Sequence, residues 1–249
     1  MTLPLNDKVV LITGSAKRVG AAIARRLHGA GANLMLHYNA SKAEAQSLQV
    51  ELNSLRADSA ATVQADLANA AELAELVKCV VARFGRLDVL INNASNFYPT
   101  PLGNIEVAQW DDLMGINLRA PLFLSQAAAP HLRKHNGCII NIADIHADRP
   151  LKNYVVYSVA KAGLVGLTKS LARELGPDVR VNAIAPGPVL WPDNADFDEL
   201  TRQRIVSHTL LKRAGEAEDV ASAVHYLVGD APYITGQVLA VDGGRSVNI

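Results

Sequence analysis

Tyr157 and Lys161 are the two side chains whose types and spacing most directly suggest chemistry. They stand four residues apart in a stretch with helical periodicity, which places them one turn apart on one helix face. A tyrosine hydroxyl, with an ordinary pKa of about 10, donates a proton poorly at pH 7 unless a nearby ammonium group favours the phenolate. We therefore expect Tyr157 to be a proton donor whose pKa Lys161 lowers. A purely structural pair remains the alternative, because this spacing also arises by chance on amphipathic helices.

A glycine-rich turn at residues 13–20 follows the first predicted strand and leads directly into a helix. The N–H groups and the dipole at a helix start form an anion site, and in this context the site suits the pyrophosphate of a dinucleotide. Gly14 and Gly20 are the candidate residues for close backbone approach. The alternative is a tight strand-to-helix connection without a ligand.

The choice between the two nicotinamide cofactors usually falls at the end of the second strand, where an acidic side chain would repel a 2′-phosphate. Residues 37–42 contain no acid, Lys42 ends this segment, and the glycine-rich turn adds Lys17 and Arg18. These side chains predict NADPH rather than NADH. The alternative is that they only solvate the start of a helix.

Polar residues also follow the third and fourth predicted strands. Asp66 and Leu67 come after one, and Asn93 and Ala94 come after the other. The carboxyl edge of a parallel sheet is where ligands bind, so adenine and ribose are expected there. Either segment alone could be a turn that bonds its own backbone.

Short β-branched runs alternate with longer helix-periodic segments, which is typical of an α/β fold with crossover helices. We predict one Rossmann-type, doubly wound, seven-stranded parallel sheet with helices on both faces, in a single domain over residues 1–249. Each strand is apolar enough to be covered on both faces. Residues 186–207 lack clear periodicity and are predicted to be a mobile flap over a ligand. The predicted strands are Val9–Ile12, Asn33–His37, Ala61–Gln64, Leu87–Ile91, Cys138–Ile142, Val179–Ile184 and Val238–Val241. The predicted helices cover residues 18–30, 41–56, 70–84, 106–117, 119–135, 154–175 and 217–228.

Composition excludes several classes of protein. Hydrophobic residues make up 49% of the 249 residues, and the 24 basic and 24 acidic side chains give a net charge of +0, so no global field favours nucleic acid or a membrane surface. The two cysteines and seven histidines show no metal-ligand spacing. We expect no metal site and a cytoplasmic protein, because neither a leader segment nor a long apolar run is present.

Together these motifs resemble the short-chain dehydrogenase/reductase family over nearly the whole chain. The resemblance implies that Asn117 holds a water at the active site, Tyr157 protonates the substrate, and Lys161 binds the nicotinamide ribose. It also implies that the segment after Pro186 and Gly187 closes over the ligand. The resemblance rests on Thr13–Gly20, Asp66, Asn92–Ala94, Asn117, Tyr157, Lys161, Pro186–Gly187 and Val241–Gly244.

One departure from that family concerns its usual catalytic serine, thirteen residues before the tyrosine. Here that position is Asp144. A carboxylate does not suit a ketone, whose oxygen gathers negative charge as hydride arrives. It does suit a C=N bond, because a carboxyl group beside Tyr157 can relay a proton to the ring nitrogen. The alternative is that Asp144 simply caps the following loop.

A second departure is Arg18, which replaces the middle glycine of the turn. With Asp144 and the segment 92–101, it makes the chain similar to the pteridine reductases. That resemblance implies that Phe97 stacks on a pterin, and that Ser95, Arg18, Asp144 and Tyr157 bond its edge. It also implies a phosphate contact from Ser41, although the family's basic residue before it is Ala40 here. Phe97 could instead be an apolar anchor of its loop.

The predicted activity is therefore NADPH-dependent reduction of oxidised pterins, from the dihydro to the tetrahydro level, with dihydrofolate as an open second substrate. The first alternative is a carbonyl reductase acting on ketones or ketoacyl groups. The second is a dinucleotide-sensing protein without catalysis, which the Tyr157–Lys161 pair disfavours. Family resemblance also implies a homotetramer built through the helices near 119–135 and 154–175.

Overall fold

The computed structural model describes residues 4–191 and 198–247. It contains one seven-stranded, fully parallel sheet in the order β3-β2-β1-β4-β5-β6-β7, which confirms the predicted fold class. The strand order reverses between β1 and β4, and in open α/β sheets ligands bind outside the carboxyl ends of the strands at this point. The strands are β1 (Val9–Ile12), β2 (Asn33–Tyr38), β3 (Ala60–Gln64), β4 (Val89–Asn92), β5 (Cys138–Ile142), β6 (Arg180–Pro186) and β7 (Val238–Val241).

Helices cover both faces of the sheet because successive side chains of each strand point to opposite sides. From β1, Val10 and Ile12 pack in one core with the first and eighth helices, whereas Leu11 packs in the other core. The helices are α1 (Arg18–Gly29), α2 (Lys42–Leu55), α3 (Ala70–Phe84), α4 (Val107–Met114), α5 (Ala120–Arg133), α6 (Val155–Leu175), α7 (Glu199–Ser207) and α8 (Ala217–Gly229).

The prediction that every strand is buried on both faces of the sheet is wrong for β7. Leu239 is 40% exposed and Ala240 is also exposed. As the last strand of the sheet, β7 has a neighbouring strand only on the β6 side. Its apolar composition therefore reflects β propensity rather than burial on both sides.

The predicted helix 106–117 ends earlier than expected, and its last residues belong to a different structure. A π-helical turn at Gly115–Arg119 connects α4 to α5 without a loop. Asn117 lies in this turn, where its side-chain amide donates to the carbonyl oxygen of Leu113 at 2.9 Å. The wider turn thus carries a buried polar side chain toward the sheet edge.

The segment 186–207 contains more regular structure than its sequence indicates. β6 continues through Pro186, and α7 occupies the end of the segment, where the Asp198 carboxylate accepts from the backbone N–H of Thr201 at 2.8 Å. α7 buries none of its residues fully, so it has no apolar stripe from which periodicity could be recognised. Residues 192–197 of the predicted flap lie outside the described residues. Across the described part of the chain, no helix is both long and apolar enough to span a membrane.

Candidate active site

A cavity of about 860 Å³ opens at the carboxyl ends of β1 and β4, where the strand order reverses. Two predicted site residues, Asn117 and Lys42, do not line it. The cavity is lined by the other predicted site residues: Gly14, Lys17, Arg18, Gly20, Ser41, Asp66, Leu67, Asn93, Ala94, Ser95, Phe97, Asp144, Tyr157, Lys161, Pro186 and Gly187.

The glycine-rich turn is packed against the loop after β4. Gly14 has a φ of +61°, and a β-carbon there would lie 3.0 Å from the Cα of Ala94. A β-carbon at Gly20 would meet the carbonyl oxygen of Gly14 and lie 2.8 Å from Nδ2 of Asn93. That Nδ2 donates to the carbonyl oxygens of Thr13 and Gly14 at 2.9 and 3.0 Å. The turn therefore has no side chain at Gly14 and Gly20, and the hydrogen bonds from Asn93 hold its backbone in place where a pyrophosphate would approach.

Arg18 adopts the left-handed backbone conformation, with a φ of +55°. This region favours glycine, which accounts for the middle glycine of the general turn pattern that Arg18 replaces. The guanidinium donates to the carbonyl oxygens of Trp191 and Leu190 at 2.9 and 3.3 Å. Arg18 thus holds the segment after β6 over the turn.

The end of the cavity near residues 37–42 is less basic than the sequence indicates. Lys17 lines it, but its ammonium lies 3.2 Å from the carboxylate of Glu44, an exposed ion pair that the sequence analysis missed. Lys42 begins α2 outside the cavity. Asp66 lines the cavity, and its Oδ1 accepts from the N–H of Ala68 at 2.9 Å, so it also closes its own turn.

Tyr157 and Asp144 are two ionisable side chains that are hydrogen-bonded to each other in the cavity. The Tyr157 hydroxyl donates to Oδ2 of Asp144 at 2.7 Å, and Oδ1 of the same carboxylate accepts from the N–H of His146 at 2.8 Å. Asp144 therefore caps the 3₁₀ turn Ile145–Ala147 and also contacts the candidate acid. Burial, and then the charge and hydrogen bond of Asp144, raise the pKa of Tyr157 well above 10. The expected lowering of that pKa by Lys161 is wrong, because the hydroxyl is bonded to a carboxylate.

Lys161 is fully enclosed on the same face of α6. Its ammonium donates to the carbonyl oxygen of Ile142 at 2.9 Å and lies 5.7 Å from the ring centroid of Tyr157. Burial lowers the pKa of Lys161 to about 8, and the carboxylate of Asp144 opposes that shift. The lysine thus faces the cavity floor rather than the tyrosine hydroxyl.

Asn117 reaches the site through Ser95. The Ser95 hydroxyl donates to Oδ1 of Asn117 at 2.6 Å, and Nδ2 of Asn117 donates to the carbonyl oxygens of Asn96 and Leu113. The side chain of Asn117 therefore supports the loop after β4 from behind the cavity wall.

The Phe97 ring lines the cavity beside the reactive pair. It stacks on Tyr154 at 4.5 Å between centroids and meets the Tyr157 ring edge-on at 4.8 Å. The residues on either side of Phe97 are both bonded to Asp112 of α4. Its carboxylate accepts from the Asn96 amide at 2.9 and 3.0 Å and from the Tyr98 hydroxyl at 2.8 Å. The sequence analysis missed Asp112 and Tyr154, since only the folded chain brings them to this loop.

Comparison with known proteins agrees with this geometry. A family model described as enoyl-(acyl carrier protein) reductase matches residues 14–246. Pteridine reductase 1 of Leishmania tarentolae is 38% identical over 99% of both chains. The 3-oxoacyl-[acyl-carrier-protein] reductase FabG of Staphylococcus aureus (strain Mu50) is 36% identical over 95% of this chain and 97% of its own. The crystal structure of a blue fluorescent protein from a metagenomic library, in complex with NADPH, superimposes with a TM-score of 0.91 at 36% identity, over 97% of this chain and 99% of that one. The chain therefore belongs to the short-chain dehydrogenase/reductase family of oxidoreductases.

Proposed function

We propose that the protein is an NADPH-dependent reductase that converts dihydropterins to tetrahydropterins. The observation that carries the proposal is the 2.7 Å bond between the Tyr157 hydroxyl and the Asp144 carboxylate inside the cavity. A hydroxyl at position 144 would suit a carbonyl substrate, whereas a carboxyl group suits a nitrogen that must be protonated.

The cavity fits a nicotinamide dinucleotide at the glycine-rich turn. A β-carbon at Gly14 would press on Ala94, and one at Gly20 would clash with the carbonyl oxygen of Gly14, so glycine keeps the turn tight where a pyrophosphate would approach. Bound NADPH would supply the hydride for the pterin ring carbon. The 2′-phosphate would be held by Lys17, Arg18 and Ser41, whereas Lys42 lies outside the cavity. The adenosine would be held by Asp66, Leu67, Asn93 and Ala94, and the nicotinamide half by Lys161, Pro186 and Gly187.

The proton for the ring nitrogen would come from the Tyr157–Asp144 pair. A phenolate beside a carboxylate is disfavoured, as the raised pKa of Tyr157 indicates. The ring nitrogen would take the Tyr157 proton, and the Asp144 carboxyl group, which lies 2.7 Å from that hydroxyl, would pass a proton from solvent back to the tyrosine oxygen. The pair would then return to a neutral tyrosine and a carboxylate.

The rest of the substrate site suits a flat heterocycle. One face of the Phe97 ring is covered by Tyr154, and the ring lines the cavity next to Tyr157. A pterin would stack on this aromatic residue, with Ser95 and Arg18 bonding its edge. Asn117 would act through Ser95, which its side chain holds at 2.6 Å.

A second candidate function is reduction of ketoacyl groups. It is favoured by the ketoacyl reductases among the relatives, which include the putative ketoacyl reductase 2 of the granaticin polyketide synthase of Streptomyces violaceoruber, 37% identical over 95% of both chains. Steady-state assays with dihydrobiopterin, dihydromonapterin, dihydrofolate and a ketoacyl thioester separate the two functions. Turnover of the thioester alone would refute pterin reduction, and the three pterins together identify the preferred substrate.

Arg18→Ala is expected to weaken NADPH binding roughly tenfold or more, because a charge-assisted phosphate bond contributes about 1.5–3 kcal/mol. Arg18→Gly tests the same loss without a side chain at a positive φ. Fluorescence titration with NADPH and NADH measures the effect, and the loss is expected to be larger for NADPH. Arg26→Ala, an exposed change on the same helix, is the control. Equal efficiency of the wild type with both cofactors would contradict the assignment.

The affinity for NADPH is expected to fall as the pH rises through about 8, the pKa to which burial lowers Lys161. Above that pH the neutral amine can no longer hold the ribose as a charged donor, whereas Tyr157 stays protonated because its pKa is raised. Titrations from pH 6.5 to 9.5 measure the fall. Lys161→Arg, which stays charged throughout, should flatten the curve. A flat curve for the wild type would argue against this role.

We also propose a cytoplasmic homotetramer, and we propose that the described part of the predicted flap, residues 186–191 and 198–207, closes on the ligand. Support for the assembly comes from exposed apolar side chains on the two helices named by the family resemblance. These are Leu122 and Phe123 on α5, and Val155 and Val159 on α6. Support for the flap comes from the bonds that Arg18 makes to Leu190 and Trp191.

A further inference from the structure

His37 lies at the end of β2 and is bonded through both ring nitrogens inside the cavity wall. The backbone N–H of Gly14 donates to Nδ1 at 3.1 Å, and Nε2 lies 3.0 Å from the carbonyl oxygen of Ala65. An N–H can only donate and a carbonyl can only accept. The ring is therefore neutral, with its proton on Nε2, and it is almost fully buried at 1% exposure.

The backbone of His37 adds two more bonds to the same turn. Its carbonyl oxygen accepts from the N–H of Ser15 at 3.0 Å and from the Ser15 hydroxyl at 3.2 Å. On the other side, Ala65 directly precedes Asp66, which lines the cavity. One residue thus joins the glycine-rich turn, the end of β2 and the loop after β3, which are three walls of the cavity.

We propose that His37 is a positioning residue for the dinucleotide, and that its neutral imidazole fixes the glycine-rich turn against the loop after β3. Without this acceptor, the half-buried N–H of Gly14 would lose its partner, and the turn would shift to recover one. The inference rests on the cofactor part of the proposed function and is independent of the pterin substrate.

Protonation would disrupt this arrangement. A charged ring carries a second proton on Nδ1, which would face the N–H of Gly14 and abolish that bond. Burial lowers the pKa of His37, while the hydrogen bond to Ala65 and the charge of Asp66, the charged group that acts on the ring, oppose the shift. The neutral form therefore dominates at pH 7, and the bond is lost only below the ordinary pKa of histidine.

Three variants distinguish the contribution of Nδ1 of His37 from that of Nε2. His37→Asn places an amide oxygen near the position of Nδ1 and keeps an acceptor for Gly14. His37→Gln places an amide nitrogen near the position of Nε2 and keeps only a donor for Ala65, and His37→Leu keeps neither. We expect a loss of NADPH affinity of roughly tenfold or more in the leucine and glutamine variants and a loss of about threefold or less in the asparagine variant.

Dissociation constants for NADPH and NADH come from fluorescence titration, with folding checked by circular dichroism and thermal melting. His28→Asn and His28→Leu are the matched controls, because His28 is also buried and bonded, to Ser59 at 2.7 Å, but does not line the cavity. They should lower the melting temperature without changing the affinity. If His37→Leu fails to fold, the contrast between the asparagine and glutamine variants decides.

The pH dependence supplies a readout that a purely structural role would not move. NADH is the probe here because it lacks the 2′-phosphate, which titrates near pH 6 itself. Wild-type affinity for NADH should stay constant from pH 7.5 to the ordinary histidine pKa of about 6.5 and should fall only at lower pH, and this fall should be smaller in His37→Asn. Asparagine and glutamine variants that both bind like the wild type would overturn the inference. A wild type that binds neither cofactor would instead refute the cofactor assignment, and the inference with it.

Discussion

Tyr157→Phe is expected to bind NADPH like the wild type and to turn over dihydropterin about 10²–10⁴ times more slowly, the range for loss of a general acid. The change removes only the hydroxyl that donates to Asp144 at 2.7 Å and leaves the ring against Phe97. The pterin nitrogen then has no tyrosine proton to take. Single-turnover and steady-state kinetics with saturating NADPH measure the loss.

Two further variants serve as comparisons for Tyr157→Phe. Tyr226→Phe removes a hydroxyl on the exposed face of α8 and should leave turnover unchanged. Lys161→Ala should lose cofactor affinity as well as turnover, because its buried ammonium faces the cavity floor. Unimpaired turnover of Tyr157→Phe would remove this residue from the chemistry.

Asp144→Ser is expected to suppress dihydropterin reduction about 10²-fold or more while keeping or improving any weak activity on reactive ketones. Serine restores a hydroxyl donor for a carbonyl oxygen and removes the carboxyl group that relays a proton. Asp144→Asn should be equally poor with pterins. Its amide oxygen can still accept from the N–H of His146, so the 3₁₀ turn is retained while the acid–base function is lost.

The measurements are kcat and KM for a dihydropterin and for an activated diketone, in the wild type and both variants. Asp148→Asn, an exposed change at the end of the same 3₁₀ turn, is the control. If the serine variant weakens both substrates equally, the argument from the C=N bond fails and ketone reduction regains support. If only KM changes, Asp144 merely positions the substrate.

Most of the sheet could be predicted because its strands are short, apolar and separated by helix-periodic segments. β1, β5 and β7 have the bounds expected from the sequence, β2 and β3 differ by one residue at one end, and β4 and β6 differ by one or two residues at each end. α7 could not be predicted, since a helix that buries none of its residues fully leaves no periodic pattern. The π-helical turn at Gly115–Arg119 was missed because the local sequence does not distinguish it from an ordinary helix end.

The sequence predicts most of the residues that line the cavity, but it does not predict the hydrogen bonds and ion pairs that they make. The sequence places Tyr157 and Lys161 on one helix face, yet it cannot show that the tyrosine hydroxyl turns toward Asp144. Nor can it show that Lys17 meets Glu44, which lies in the first turn of α2. Such partners depend on how segments far apart in the chain are brought together, and they decide the direction of each pKa shift.

The two oxygens of Asp144 are assigned to separate tasks. Oδ1 is fixed by the N–H of His146, whereas Oδ2 faces the Tyr157 hydroxyl. Oδ2 is the oxygen within reach of the Tyr157 hydroxyl, so a proton exchanged between the two side chains would pass through Oδ2 while Oδ1 keeps its backbone hydrogen bond. In the proposed reaction, the carboxyl group would exchange this proton while the bond to His146 keeps the 3₁₀ turn in place. The proton transfer would then change the charge of one side chain without moving the loop that carries it.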